Sequence, residues 1–209
     1  MLTLFYFIVF IFSAVIHEIS HGYAAKALGD DTAERSGRLT LNPVSHLDLF
    51  GSVILPLMFY LTSKLAGGFG IILGWAKPVP YNPFNLKNPK KGALLIALAG
   101  PMSNFSLALL LSSLFRLGLI GFNSALGELL AIIILINLML GIFNLVPIPP
   151  LDGSKVLFGL LPASWYKLEE FLNQYSLIIF LMFLFWGIGI VGFLVGWLFQ
   201  LLTGIGLGV

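Results

Sequence analysis

Two of the chain's three histidines stand four residues apart, in His17-Glu18-Ile19-Ser20-His21. Residues four apart share one face of a helix, so both imidazoles can reach a single metal ion. Glu18 lies one position round that helix, where its carboxylate can take a proton from a water activated by the metal instead of binding the metal. The plainer reading is a polar cluster hydrogen-bonded to neighbouring helices. Two histidines do not complete a catalytic zinc site, which uses three protein ligands and an open position. His46 reads as a loop or interface histidine. Asp152 is the better third ligand, being the sole acidic residue between Glu128 and Glu169 and following the cluster Pro147, Pro149, Pro150. Its other possible job is to cap a short helix starting near Ser154.

The elements that must carry these residues follow from composition. Of 209 residues, 58% are hydrophobic and 10% charged, whereas a soluble domain carries roughly 25% charged residues. Charge-free runs cover 2–16, 49–63, 65–76, 92–115, 129–151 and 171–209. A bilayer-spanning helix needs about 20 mostly apolar residues, so the chain reads as a polytopic membrane protein. A net charge of +2 with no basic stripe excludes a nucleic-acid partner. The absence of cysteine excludes disulfides and thiol chemistry. The N-terminal run has no basic start and no small-residue cleavage site, and reads as a mature helix instead of a signal peptide.

The spacing predicts helices over 2–28, 92–116, 126–146 and 175–202, with a short apolar piece at 155–161 and a charged loop at 165–170. Segment 49–63 is long enough for a further helix. Alternation over Gly37–Pro43 predicts a short strand, and 69–83 reads as extended chain or a hairpin. The expected fold is an all-α polytopic membrane protein of five to six transmembrane or re-entrant helices, with a small membrane-associated β-hairpin. It forms a single domain over 1–209, with a core at about 1–162 and a C-terminal helix at about 175–202. Gly187-Ile188-Gly189-Ile190-Val191-Gly192 spells a dinucleotide motif but lacks the preceding strand and following acid that motif needs. A small-residue packing face through Gly192 and Gly196 is the better reading.

Three motifs in order, His17–His21, Gly100-Pro101-Met102-Ser103-Asn104 and Asn144-Leu145-Val146-Pro147-Ile148-Pro149-Pro150-Leu151-Asp152-Gly153, resemble the site-2 proteases. These are intramembrane zinc metallopeptidases of the M50 type. The resemblance implies that His17, His21 and Asp152 bind one zinc ion per chain and that Glu18 is the catalytic base. It also implies that Asn144 and Asn104 line the site and position or polarise the scissile peptide. Asn42-Pro43, Gly74–Pro80 and Asn88-Pro89 are similar to the compact prokaryotic branch, which lacks PDZ and CBS domains. The implied partners are transmembrane substrate proteins and the lipid bilayer.

For Asp152 to meet the histidines, the ends of the first and fourth long helices must lie on one side, so 49–75 has to return to the side it left. Lys26, Arg35, Arg38, Lys77, Lys87, Lys90, Lys91, Lys155 and Lys167 then share that side, with Lys64 and Arg116 opposite. Positive residues favour the cytoplasm, which predicts that the catalytic side faces inward, and the resemblance implies a prokaryotic cell membrane. A helical substrate must be held extended to be cut, and Gly70–Trp75, through Ile72 and Gly74, offers a strand edge for it. Two rival functions remain at this stage. One is a membrane zinc-binding or transport protein, which would want polar residues along several helices. The other is a proteolytically silent adaptor, which has no use for Glu18.

Overall fold

The computed structural model describes residues 2–48 and 77–206, and every regular element among them is helical. Helix α1 runs Leu2–Ala27 and α2 is the single turn Thr32–Arg35. A 3-10 turn follows at Pro43–His46, and another at Pro83–Asn85. Helix α3 spans Pro89–Arg116 and α4 Ala125–Asn144. The short α5 covers Asp152–Leu160. After a 3-10 turn at Ala163–Trp165 comes α6, Tyr166–Gln174. The last apolar stretch is α7, Ser176–Met182, a π-helical turn at Phe183–Gly187, and α8, Ile188–Thr203.

Local chemistry sets these boundaries. Asn88 caps α3 by accepting from the Lys91 amide, with Pro89 in the first helical position, where its missing N–H costs nothing. Ser124 caps α4 through the Gly127 amide. Pro147, Pro149 and Pro150 follow the end of α4, where they cannot continue its hydrogen-bond ladder. Gly204 closes α8 in the left-handed conformation at φ 77°.

Four helical stretches among the described residues are long and apolar enough to cross a membrane: Leu2–Ala27, Pro89–Arg116, Ala125–Asn144 and Ser176–Thr203. The shortest, 20 residues, rises about 30 Å, matching the bilayer core. Large apolar side chains such as Phe7, Phe10, Phe185, Trp186, Phe193 and Trp197 face outward. With the spans, that surface defines an all-α integral membrane protein. Inside, Ala108 and Phe115 of α3, Ile134, Leu138 and Ile142 of α4, and Val191, Val195 and Phe199 of α8 form one core.

The spans alternate in direction. Ala25 near the end of α1 packs with Leu86 and with Ile96 early in α3, so α3 starts where α1 finishes. At the far end of α3, Arg116 donates to the carbonyls of Leu201 and Leu202 at the end of α8. The segment between α1 and α3 leaves and rejoins the described structure at one place, because the Lys77 amide donates to the His46 carbonyl at 2.9 Å.

Three expectations are corrected. Gly37–Pro43 is not a strand. Gly37 takes a positive φ of 65°, the Arg38 amide returns to the Ala33 carbonyl, and the Asn42 side chain accepts from Val44. Local turns thus use the donors a ladder would need. The charged stretch 165–170 is no loop: Leu168, Phe171 and Leu172 recur at helical spacing, and charge on the other face of α6 hid it. Gly192 faces open space, a Cβ there meeting nothing within 4 Å, and α8 packs through Val191, Val195 and Phe199 instead. The expected helix at 49–63 and most of the hairpin at 69–83 lie outside the described residues. Lys77–Pro83, the described part of that hairpin, forms no strand.

Candidate metal centre

Helix α1 turns His17 and His21 inward, 5% and 8% exposed, while Glu18 beside them is half-buried. Helix α3 crosses against both rings at Gly100. A Cβ there would stand 2.6 Å from His17 Nε2 and 2.5 Å from His21 Nε2, so only glycine lets the two helices approach this closely. One residue on, Pro101 lies inside the helix and is fully buried.

Asp152 reaches the histidines from the first turn of α5. Its Oδ2 lies 3.1 Å from His17 Nε2 and 3.0 Å from His21 Nε2. Gly153 makes this position reachable, since a Cβ there would meet the Leu145 carbonyl oxygen at 2.2 Å. Asp152 caps nothing: the residue at the helix cap is Leu151, without a side-chain hydrogen bond. Its other oxygen faces Lys155 Nζ at 3.4 Å.

The donor set fits a metal ion. His17 Nδ1 is 2.7 Å from Asn104 Oδ1, and His21 Nδ1 is 2.6 Å from the Ile96 carbonyl. Both partners accept, so a hydrogen on each Nδ1 satisfies them and frees each Nε2, turned toward Asp152 Oδ2, to offer its lone pair to a metal ion. Two Nε2 nitrogens and a carboxylate oxygen thus converge, all within 4.8 Å of one another. Three lone-pair donors brought together need a positive charge among them. Ligands at about 2.0–2.1 Å from a tetrahedral zinc ion sit about 3.3 Å apart, close to the spacing found here.

Glu18 is held by main chain. The Val79 amide donates to its Oε2 at 3.0 Å, and its Oε1 has no hydrogen-bond partner among the described residues. Val79 belongs to a strap, Lys77–Asn88, that lies across α1 at Gly22, where a Cβ would meet Leu39 at 2.5 Å and Val79 at 3.0 Å. Proline at 78 and 80 removes the neighbouring donors and favours extended chain, leaving the Val79 amide as the one that points at Glu18. Buried Asp30 ties the strap down, accepting from the Asn82 amide at 2.7 Å and the Asn85 side chain at 2.6 Å. It also accepts from Thr32 through both amide and hydroxyl. The Asp30 carboxylate has no accessible surface. Burial pushes its pKa up, but the four hydrogen bonds outweigh burial and hold it below the usual carboxylate value.

The structure therefore brings His17, His21 and Asp152 together with Asn104 behind them and Glu18 alongside. Asn144 is half-buried and donates to the Leu140 carbonyl of its own helix. His46 stays apart in its 3-10 turn, its Nε2 2.9 Å from the Thr40 carbonyl. Ile72 and Gly74 lie outside the described residues. Sequence reasoning missed Asn137, which touches Asn104, and the Val79 amide. Asn137 had a signal, being the single amide inside the apolar run 129–143.

Spans with this ligand set between them define an integral membrane protein with a buried metal-ligand cluster. The pattern of peptidase family M50 matches residues 119–187. Among named relatives, "Putative zinc metalloprotease YwhC" of Bacillus subtilis is 38% identical over 182 residues, covering 84% of this chain and 77% of the relative. "Putative zinc metalloprotease Rip2" of Mycobacterium tuberculosis is 30% identical over 192 residues, covering 90% and 70%. "Zinc metalloprotease MJ0392" of Methanocaldococcus jannaschii is 26% identical over 167 residues, and this match spans 36% of that longer protein. No solved structure gives a significant match. The chain belongs to peptidase family M50, the site-2 protease family.

Proposed function

We propose that the protein is a zinc-dependent endopeptidase that cuts transmembrane segments of other membrane proteins. The observation that carries this reading is the convergence of His17 Nε2, His21 Nε2 and Asp152 Oδ2 among apolar spans, beside a glutamate with one oxygen unengaged among the described residues. Zinc held by those three atoms would supply Lewis acidity, polarising a peptide carbonyl and acidifying water.

The chain's own groups do the rest. Asn104 and the Ile96 carbonyl fix the two rings in the orientation that bares Nε2. The Val79 amide aims Glu18 by one oxygen, and the other takes a proton from water and returns it to the leaving amine. Asn144 lies at the end of α4, and we assign it to substrate positioning together with Asn104. The substrate is held extended, pairing with Gly70–Trp75 through Ile72 and Gly74; Ile72→Pro, which deletes a ladder donor, lowers cleavage on this reading.

The catalytic end is assigned to the cytoplasm of a prokaryotic cell. Lys26, Lys90 and Lys155 lie at that end among the described residues, bonded to Glu34, the Leu161 carbonyl and Asp152, while Arg116 marks the opposite end. Because the chain has no cysteine, a single cysteine at Asn88 reports this directly. Labelling only from outside intact cells contradicts the assignment.

The test of function is cleavage of a purified transmembrane substrate in vesicles. Wild type cuts and is stopped by a zinc chelator. Glu18→Gln falls by about 10²–10⁴-fold, the size of a general acid–base contribution. Equal cleavage by Glu18→Gln overturns the role of Glu18.

A further inference from the structure

A chain of amides runs inward from His17, away from the metal ligands. His17 Nδ1 meets Asn104 Oδ1 at 2.7 Å. Asn104 Nδ2 donates to Asn137 Oδ1 at 2.8 Å and, at 3.4 Å, to the Ser13 carbonyl. Asn137 Nδ2 donates to the Ile133 carbonyl at 2.9 Å and to Ser13 Oγ at 3.0 Å. Asn104 and Asn137 are both wholly buried, and the chain ties α1, α3 and α4 together at membrane depth.

The polarity of this chain has a definite origin. A primary amide can turn over, exchanging its oxygen and its NH2, and the two orientations differ only in what they bond. A main-chain carbonyl, by contrast, can only accept. Asn137 must therefore turn its NH2 toward Ile133, which leaves its oxygen facing Asn104. Asn104 must then offer its own NH2 to Asn137, which leaves its oxygen facing His17. An oxygen there accepts only if Nδ1 carries the hydrogen, which leaves the Nε2 lone pair to a metal ion; without metal, Asp152 Oδ2 at 3.1 Å is a second acceptor that competes for a hydrogen on Nε2. Were Asn104 reversed, its NH2 would face His17 and select the opposite tautomer, with hydrogen on Nε2 where a metal ligand needs a lone pair. In an apolar interior, two acceptors or two donors left facing each other are costly, which makes each step of the sequence binding on the next.

We propose that Asn137 is a positioning residue: anchored to the Ile133 carbonyl, it fixes the orientation of the Asn104 amide and through it the tautomer that lets His17 bind metal. The inference rests on the metal reading of His17 given above. Asn137 never touches the metal, so its effect appears in metal-free protein once Asp152, the other acceptor on His17, is replaced. The Ser13 carbonyl is a second, longer anchor for Asn104, so loss of Asn137 loosens the tautomer without inverting it.

The tautomer is read in full-length Asp152→Ala protein in detergent micelles, with 15N-labelled histidines, metal-free, at a pH where the imidazoles are neutral, and zinc affinity is read with Asp152 intact. The His17 signals are identified by their loss in His17→Gln. With Asn137 in place, hydrogen sits on Nδ1 of His17. Asn137→Leu, similar in size but unable to accept, shows a mixture with hydrogen on Nε2, and its zinc affinity falls about 10-fold, as when an outer partner of a ligand is lost. Asn137→Asp restores both: burial keeps the acid neutral, so its hydroxyl serves Ile133 and its carbonyl serves Asn104. Wild-type tautomer and zinc affinity in a folded Asn137→Leu overturn the proposal. Hydrogen on Nε2 of His17 in metal-free Asp152→Ala with Asn137 intact overturns it outright. If wild type takes up no zinc although the tautomer follows residue 137, the metal reading fails and the positioning role stands.

Discussion

His17 and Glu18 are neighbours on α1, yet different kinds of structure hold them. His17 is gripped from two other spans through Asn104 and Asn137, all buried at membrane depth. Glu18 is gripped by one main-chain amide of a strap that lies outside the described spans and is fastened by Asp30. The proposed ligands are thus fixed by helix packing and the proposed base by a tether. Damage to the helices should cost metal as well as activity, and damage to the strap should cost activity alone.

Gly100→Ala should have the largest effect. Its Cβ would lie inside contact distance of both Nε2 atoms, and overpacking a tight site costs about 1–3 kcal/mol. Zinc content and cleavage should fall together. A Gly100→Ala protein with full zinc would break the helical half of the contrast.

Loss of the strap's anchor comes next. Asp30→Ala removes the acceptor for Asn82, Asn85 and Thr32. Zinc should stay bound while cleavage drops about 10-fold, a fraction of the 10²–10⁴ that a general base supplies. Zinc loss in Asp30→Ala would show that strap and ligands are one unit.

These contrasts also mark what a reader of the sequence can see. His17 and His21 are legible because four-residue spacing means one helix face, and Asp152 because it stands alone in a long apolar stretch. Asn88-Pro89 and the proline cluster announce helix ends. The Val79 amide carries no side-chain signature, so its bond to Glu18 appears only in the fold. The strand expected at Gly37–Pro43 failed because alternation says nothing about whether a partner strand exists, and turns took its donors. Charge at Lys167, Glu169 and Glu170 suggested a loop where one face of α6 was simply polar.

The smallest effect is on acid stability. Asp30 has a pKa below the usual carboxylate value in the fold, so the folded chain binds that proton less readily than the unfolded one. Its stabilisation is complete above the unfolded value of about 3.9 and is lost as pH falls through the lower folded value. The difference in thermal stability between wild type and Asp30→Asn should therefore shrink below about pH 4. A difference unchanged down to about pH 3 would mean the Asp30 charge does not fasten the strap.

The most direct test of the whole account is the zinc content of the purified protein, measured in wild type, Glu18→Gln and Asp152→Ala. The account predicts one zinc per chain in wild type and in Glu18→Gln, and none in Asp152→Ala, which leaves two nitrogens without their third ligand. Full zinc in Asp152→Ala, or its loss from Glu18→Gln, would contradict the division between ligands and base.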